Sequence, residues 1–358
     1  MRRLPVVSRS AVYEPLPRPP HGWGEPDVPP LIDGEGRRYT YLRLSVTDRC
    51  DLACVYCMPP SGEDDHALRP ELLTFEEAAR VVSVFASTGV RRVRFTGGEP
   101  LVRKDVVRLV ELVDRTTPVD ELVMTTNATR LAELAEPLAR AGLSGVNVSI
   151  DSLDHGRFRE ITRGGELGSV LAGIRAALDA GLEVKLNSVA LRGVNDGEVC
   201  RLVDFAWEIG ATPRFIELMP LGEAAKLPEG SLVGAAEIIV RLGDRVVAAD
   251  SAPVAGRGPA RYLDAADGSG HRVGFITALS DTFCESCNRV RVTARGDIRA
   301  CLASRRAISL RDLCRSGATD RDLAWAIHWS LLGKAAGHFF HDAAIDEHEH
   351  VGMSLVGG

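Results

Sequence analysis

The sequence lacks any uninterrupted apolar run long enough to cross a bilayer, although 45% of its 358 residues are hydrophobic. It also lacks an excess of positive charge, because its formal net charge is −6, so nothing in the overall balance attracts nucleic acid or an anionic membrane. No apolar segment of the secretory type follows Arg2 and Arg3. We therefore expect a cytoplasmic protein without nucleic-acid or membrane partners, whose eight cysteines are not organised as a disulfide framework.

The chain is long enough for one large domain and a smaller one. Residues 1–30 contain eight prolines, a density that opposes both helix formation and strand pairing, and we expect a mostly disordered arm without an assigned function. Strand and helix signals alternate over residues 31–219 and fade afterwards. We therefore expect a main domain at 31–219 and a smaller C-terminal domain at 220–358.

A group of three cysteines, Cys50, Cys54 and Cys57, directly follows a run of alternating residues at 41–47 that is typical of a strand. Spacings of three and two residues place three thiols on one loop. A cubane iron–sulfur cluster normally takes four thiolates, so three leave one position open, and an open position is where a metal does chemistry. A zinc knuckle or incidental buried thiols remain the alternatives.

A second group consists of Cys284, Cys287 and Cys301. Taken alone, it fits an iron–sulfur cluster and a structural zinc site equally well, with Asp281, Glu285 or a histidine as the fourth zinc ligand. We expect that these thiols hold a second metal centre.

Two arginines, Arg289 and Arg291, lie between the cysteines of the second group. On an extended segment, residues two apart project from the same face, so their guanidinium groups form a fork for phosphate or carboxylate. The alternative is a solvated strand at the edge of a sheet.

Six strands, each with a following helix pattern or polar turn, indicate a parallel sheet built from βα units. The predicted strands are 41–47, 91–96, 121–126, 145–150, 182–189 and 213–218. Polar residues cluster at the strand ends, as at the active-site rim of a barrel: Thr96, Thr125, Asn127, Ser149, Asp151, Asn187 and Glu217. Since six units are too few for a complete barrel, we predict an α/β fold: an incomplete (βα)6 TIM-type barrel whose opening is covered by a smaller C-terminal domain.

Gly97 and Gly98 follow the second predicted strand, one βα unit after the first cysteine group. Two glycines let the backbone approach a ligand closely, and the exposed backbone groups together with Glu99 are able to bind an ammonium group. The alternative is an ordinary tight turn between strand and helix.

Together these motifs resemble the radical S-adenosylmethionine (SAM) superfamily and, within it, the GTP 3′,8-cyclase family of molybdenum cofactor biosynthesis. The matching stretches occur in order at 42–50, 56–59, 94–100, 147–153, 215–219, 283–291 and 353–358. The chain departs from the family at Asp51, where asparagine is usual, and at Ala128, where glycine is usual.

The resemblance implies two [4Fe–4S] clusters, the first binding SAM at its open iron and the second meeting the guanine of GTP. The implied cluster ligands are Cys50, Cys54 and Cys57 for the first, and Cys284, Cys287 and Cys301 for the second. The implied SAM contacts are Tyr56, Gly98, Ser149 and Met219. The implied GTP contacts are Arg43, Arg94, Thr125, Lys185, Arg289 and Arg291. By the same resemblance, the terminal Gly357 and Gly358 form a functional tail.

The implied reaction converts GTP to 3′,8-cyclo-7,8-dihydro-GTP. A radical from reductively cleaved SAM takes the ribose 3′ hydrogen, and the resulting carbon radical attacks guanine C8. The implied partners are a flavodoxin- or ferredoxin-like electron donor and, downstream, cyclic pyranopterin monophosphate synthase, with the chain a monomer or homodimer. No general acid or base is assigned. The alternatives are a radical SAM peptide or protein maturase with an auxiliary cluster and a zinc-stabilised binding module that is not an enzyme.

Overall fold

The computed structural model describes residues 11–60, 66–249, 258–304 and 306–338. Within these ranges the chain forms thirteen β-strands and nine α-helices. The strands are β1 (Val12–Tyr13), β2 (Tyr41–Ser45), β3 (Arg92–Thr96), β4 (Glu121–Thr126), β5 (Leu143–Ser149), β6 (Glu183–Ser188), β7 (Thr212–Ile216), β8 (Val246–Ala248), β9 (Arg261–Ala265), β10 (Arg272–Ile276), β11 (Arg289–Val292), β12 (Asp297–Arg299) and β13 (Arg306–Ser309). The helices are α1 (Phe75–Ser87), α2 (Val106–Thr116), α3 (Leu131–Arg140), α4 (His155–Thr162), α5 (Leu167–Asp179), α6 (Val199–Glu208), α7 (Ala235–Leu242), α8 (Leu310–Arg315) and α9 (Asp320–Leu332).

The described strands form one sheet in the order β1-β13-β12-β11-β2-β3-β4-β5-β6-β7-β10-β9-β8. Its centre consists of six parallel neighbours, β2 to β7, with helices in the connections between them. The two ends of the described sheet, β1 and β8, do not pair with each other. The predicted incomplete (βα)6 barrel is therefore confirmed.

The first helix, α1, shows how local sequence sets an element of the barrel. Thr74 caps it, because its side chain accepts from the backbone N–H of Glu77 while the Glu77 carboxylate accepts from the N–H of Thr74 at 2.8 Å. Val81, Val82 and Phe85 lie on the buried face and contribute to the core shared by the helices and the sheet. The capping signal in the sequence therefore predicts the start of this helix correctly.

The described part of the proline-rich arm, residues 11–30, packs against the rest of the protein. β1 pairs with β13 in parallel, and Trp23 packs edge to face on Trp325 of α9, with 5.1 Å between ring centres. Prolines cannot donate hydrogen bonds, but they accept them, and Trp325 Nε1 donates to the carbonyl of Pro17 at 2.6 Å. The prediction of a disordered arm over residues 1–30 is therefore wrong for 11–30, and the first ten residues lie outside the described part.

The region after residue 219 contributes more regular structure than its weak periodicity indicates. β10 lies beside β7 and β11 lies beside β2, both in parallel, so C-terminal strands extend the barrel sheet at both of its ends. The division into 31–219 and 220–358 remains a proposal about chain organisation, since the sheet is continuous across it. No helix in the part of the chain that the structure describes combines the length and the apolar character needed to cross a membrane.

Candidate active site

A cavity of about 330 Å³ lies at the carboxyl ends of the parallel strands. All of the polar side chains predicted at the strand ends line it: Thr96, Thr125, Asn127, Ser149, Asp151, Asn187 and Glu217. Both cysteine groups line the same cavity. The topology thus brings together two groups of thiols separated by more than two hundred residues of chain.

The first thiol loop is fastened to α4 by its backbone. The N–H groups of Ala53 and Val55 donate to the carbonyls at the end of that helix, at 3.2 and 2.9 Å. Arg163 follows α4 in the left-handed conformation, and its Nη1 donates to the carbonyls of Ala53 and Met58 at 3.1 and 2.6 Å. These bonds fix the backbone that carries Cys54 and Cys57.

The thiols of the first group sit in a buried environment that disfavours negative charge. Burial raises the pKa of the Cys50 thiol to about 12, with the nearby Glu99 and Asp51 adding to the effect, and burial also raises the pKa of Cys54. The backbone N–H of Leu52 donates to Cys50 Sγ at 3.4 Å. Thiolates here need a positive partner, and bound iron is such a partner.

The two departures from the family pattern are accommodated locally. Asp51 accepts from Asn127 Nδ2 at 2.7 Å and from Thr129 Oγ1 at 2.6 Å, and Arg130 Nε lies 3.8 Å from it, so neighbouring groups fix the position of this carboxylate. Ala128 has a φ of 62°, the left-handed conformation that glycine adopts at no steric cost. The turn therefore keeps its shape with alanine, at a strain of roughly 1–2 kcal/mol.

The glycine pair is required by close backbone packing. A Cβ on Gly98 would lie 2.4 Å from the carbonyl oxygen of Arg49, next to the first thiol of the loop. Glu99 follows, fully buried, and accepts from the N–H of Asn127 at 2.6 Å and from Thr126 Oγ1 at 2.7 Å. Burial raises the pKa of Glu99 to about 7. Gly98 and Glu99 both line the cavity, so this turn serves the packing and the site together.

The second thiol group has a cationic environment. Lys334 Nζ lies 3.4 Å from Cys287 Sγ and Arg289 Nη2 lies 3.9 Å from it. Although burial opposes the change, Arg289 and Lys334 lower the pKa of the Cys287 thiol to about 7. Burial raises the pKa of Cys284.

Both groups suit iron–sulfur clusters by the chemistry of their donors. None of the eight cysteines is in a disulfide, and N–H groups point at Cys50 and Cys287 in the manner of donors to cluster sulfur. Within the described ranges, no three His, Cys, Asp or Glu side chains are placed to hold a single metal ion. Each group offers three soft ligands to a polynuclear centre, with room beside it in the cavity.

Arginines form a row across three adjacent strands. The register pairs Arg291 of β11 with Arg43 of β2, and Arg43 with Arg94 of β3. Burial and the charge of Arg289 lower the pKa of Arg291 to about 10, and burial with the charge of Arg291 lowers the pKa of Arg43. Because Arg291 pairs on both sides, with Arg43 of β2 and Arg299 of β12, the alternative of a solvated sheet edge is wrong for Arg291, while Arg289 pairs with Tyr41 of β2 and lines the cavity.

The row of arginines is oriented by uncharged groups. Arg94 Nε donates to the hydroxyl of Tyr41, and Arg94 Nη1 donates to Thr125 Oγ1 at 3.2 Å. The guanidinium groups of Arg92 and Arg94 lie 5.2 and 5.7 Å from the centre of the Tyr41 ring. This arrangement leaves a concentration of positive charge beside the cavity, which suits a polyanion.

The structure differs from the sequence-based prediction at Lys185 and Arg214, one of which was expected in the site and one of which was not. Lys185 does not line the cavity, and its ammonium pairs with Glu183 at 2.5 Å. Arg214 was not predicted from the sequence, but its buried side chain lines the cavity. Its Nε donates to Asn187 Oδ1 at 3.0 Å, and its Nη2 has no hydrogen-bond partner among the described residues. A charged residue inside a strand predicted to be buried is the signal that could have identified it.

The expected SAM contacts all line the cavity: Tyr56, Gly98, Ser149 and Met219. So do five of the six expected GTP contacts: Arg43, Arg94, Thr125, Arg289 and Arg291. Tyr56 donates to Asp151 Oδ2 at 2.6 Å, and burial raises the pKa of Asp151 to about 6. The tail residues Gly357 and Gly358 lie outside the described residues.

The chain matches two family models, the radical SAM superfamily over residues 44–206 and Molybdenum Cofactor Synthesis C over 211–340. It is 42% identical over 332 residues to a GTP 3′,8-cyclase of Desulforamulus reducens, covering 92% of this chain and 100% of the relative. It is 46% identical over 339 residues to a GTP 3′,8-cyclase of Rhodopseudomonas palustris, covering 92% and 96%.

Among solved structures, the chain is similar to Streptococcus suis SuiB bound to S-adenosylmethionine, with a TM-score of 0.57 and 16% identity. The match covers 74% of this chain and 60% of SuiB. At this identity the comparison supports the fold alone.

Proposed function

Because the chain belongs to the GTP 3′,8-cyclase family of the radical SAM superfamily, we propose that it converts GTP to 3′,8-cyclo-7,8-dihydro-GTP, an early step of molybdenum cofactor biosynthesis. Its superfamily uses SAM and a [4Fe–4S] cluster. The observation that carries the proposal is that one cavity is walled by both thiol groups and by the row of arginines.

The first thiol group, Cys50, Cys54 and Cys57, would hold the cluster that binds SAM. When bound, such a cluster supplies the electron that cleaves SAM and so starts the radical chemistry. The chain's own contribution is to hold the loop rigidly through Arg163 and to keep Tyr56 in place through Asp151. Met219 and Ser149 complete the wall on this side.

The second thiol group, Cys284, Cys287 and Cys301, would hold a second [4Fe–4S] cluster with an open position for the guanine end of GTP. The triphosphate would then lie along Arg43, Arg94 and Arg291, whose charges are aligned by strand register. Bonds between guanidinium and phosphate are charge-assisted and are worth about 1.5–3 kcal/mol each. We add Arg214 to this set, because its Nη2 is buried and lacks a described partner.

A flavodoxin- or ferredoxin-like protein would supply electrons, and cyclic pyranopterin monophosphate synthase would act on the product in the cytoplasm. Gly357 and Gly358 would enter the cavity as a tail, which is favoured because the last described segment, with Lys334 and His338, already lines the cavity. Lys185 lies on β6 two residues before Asn187 and would reach the phosphates only after leaving Glu183.

The test is an anaerobic reconstitution followed by metal analysis and turnover. Cluster-loaded protein is incubated with SAM and dithionite, with GTP or with a peptide mixture, and the products are measured by mass spectrometry. We expect 5′-deoxyadenosine and a cyclised nucleotide with GTP only. Zinc without iron and sulfide would support the binding module instead, and SAM cleavage stimulated by peptides but not by GTP would support the maturase.

A further inference from the structure

Lys334 lies just after α9, half-buried, with its ammonium against the second thiol group. Its Nζ is 3.4 Å from Cys287 Sγ and 3.4 Å from the carbonyl oxygen of Arg289. It also lies 4.6 Å from the centre of the Tyr39 ring. Across the described residues, lysine–carboxylate ion pairs form at Lys185 and Lys226 but not at Lys334, whose ammonium faces the Cys287 sulfur instead.

This environment sets Lys334 apart from the other lysines. The chain has four, Lys104, Lys185, Lys226 and Lys334. Lys185 and Lys226 pair with glutamates, and Lys104 is exposed on the surface. Among these four described lysines, only Lys334 directs its charge at a cysteine.

The backbone that carries Lys334 is held by a buried arginine. Arg37 donates through Nη2 to the carbonyl of Ala335 at 2.9 Å and through Nη1 to that of Ala336 at 3.0 Å. The same Nη1 donates to the carbonyl of Cys284 at 3.1 Å, and Nε pairs with the buried Asp33 at 2.6 Å. The clamp therefore ties the segment after α9 directly to the second thiol loop.

We propose, on the premise of the proposed second cluster, that Lys334 is a positioning residue that makes this cluster easier to reduce. Arg37 holds Lys334 in register with Cys287. Reduction adds one electron to the cluster and increases its negative charge. A fixed ammonium that donates to a ligand sulfur stabilises the reduced state more than the oxidised state, and hydrogen bonds to sulfur and local charge are among the determinants of cluster potentials. The first cluster would instead lie beside two carboxyl groups, with Glu99 near Cys50 and Asp151 near Cys54.

The experiment is a dithionite redox titration of the cluster-loaded full chain, followed by electron paramagnetic resonance without GTP. The signal of the first cluster is identified by its response to SAM and serves as the internal reference. Lys334→Met removes the charge and the donor, Lys334→Gln keeps an N–H donor without the charge, and Lys334→Arg keeps the charge. Lys104→Met is the matched control, since Lys104 is exposed and does not line the cavity.

We expect that Lys334→Met lowers the reduced-to-oxidised ratio of the second cluster at fixed potential at least tenfold, a shift of about 59 mV for a one-electron couple. The first cluster should not shift, Lys334→Arg should recover most of the change, and Lys104→Met should match the unaltered protein. If the Lys334→Met protein does not load its second cluster, the Lys334→Gln protein is compared with the unaltered protein instead, and we expect its second-cluster potential to shift in the same direction.

Two results would overturn the inference while leaving the proposed function intact. In the first, both clusters assemble and the potential of the second is the same in all Lys334 variants. In the second, GTP affinity falls with no change in potential, which would make Lys334 a substrate contact. Unaltered protein that assembles only one cluster would instead overturn the second-cluster proposal itself, and this inference with it.

Discussion

Replacement of Arg291 by methionine tests the anion site in the most specific way. Arg291 is buried beside Arg43 of the next strand and Arg289 of its own strand, and burial together with the charge of Arg289 disfavours its charged form. Methionine fills similar space without charge. The variant should therefore fold at least as stably as the unaltered protein when no nucleotide is present, because it relieves a repulsion.

Binding should change in the opposite direction. Loss of one charge-assisted bond to phosphate, worth about 1.5–3 kcal/mol, weakens GTP binding roughly 10- to 150-fold. The measurement is calorimetric titration of GTP into anaerobic, cluster-loaded protein, with resonance spectra confirming both clusters. Arg140→Met is the matched control, because its exposed pair with Glu136 on α3 lies outside the cavity and contributes at most about 1 kcal/mol to stability.

An Arg291→Met protein that holds both clusters and binds GTP within threefold of the unaltered affinity would refute the assignment of Arg291 to the anion site. A clear loss of folding stability in the absence of nucleotide would refute that assignment as well. Either result would mean that Arg291 is a structural residue and that the row of arginines does not serve a polyanion.

Three further outcomes are expected. Arg37→Met should lower the free energy of unfolding by about 3–5 kcal/mol in denaturant titrations, because it leaves the buried Asp33 carboxylate without its cation. A loss below 1 kcal/mol would contradict the role of Arg37 in holding the segment after α9. Gly98→Ala should reduce iron bound at the first cluster but not at the second, because its Cβ would meet the Arg49 carbonyl, and full loading of both would contradict this packing argument. Burial opposes a lower pKa of Glu217, but hydrogen bonds from residues 279–280 lower it. The stability that the Glu217 carboxylate contributes is therefore complete above the usual carboxyl pKa of about 4.5 and is lost as pH falls through the lowered pKa. The difference in free energy of unfolding between the unaltered protein and Glu217→Gln should shrink at acid pH, and a difference that grows would contradict the lowered pKa.

The sequence was sufficient to predict the barrel because each βα unit carries its own local signals. The capping pair Thr74 and Glu77 marks α1, and short apolar strands ending in polar residues mark the rim, as at Thr96 and Ser149. These signals depend on residues a few positions apart. They predict elements well, and the parallel order of consecutive units follows from connection length alone.

What could not be predicted depends on contacts between distant parts of the chain. The composition of residues 1–30 predicts disorder, but Trp23 packs on Trp325 about three hundred residues later, which no local pattern encodes. The strands β10 and β11 are short and join the barrel at its two ends, so their partners are not sequence neighbours. Arg214 was missed for a related reason, since its role depends on which strand lies beside it.

The central claim is that each thiol group leaves its cluster open towards the same cavity. The most direct measurement is electron paramagnetic resonance of the reduced, fully loaded protein, with SAM and then GTP added separately. We predict that SAM changes only the signal of the first cluster and that GTP changes only that of the second. Signals that stay unchanged with both ligands, or a second centre already ligated by four side chains, would contradict the account.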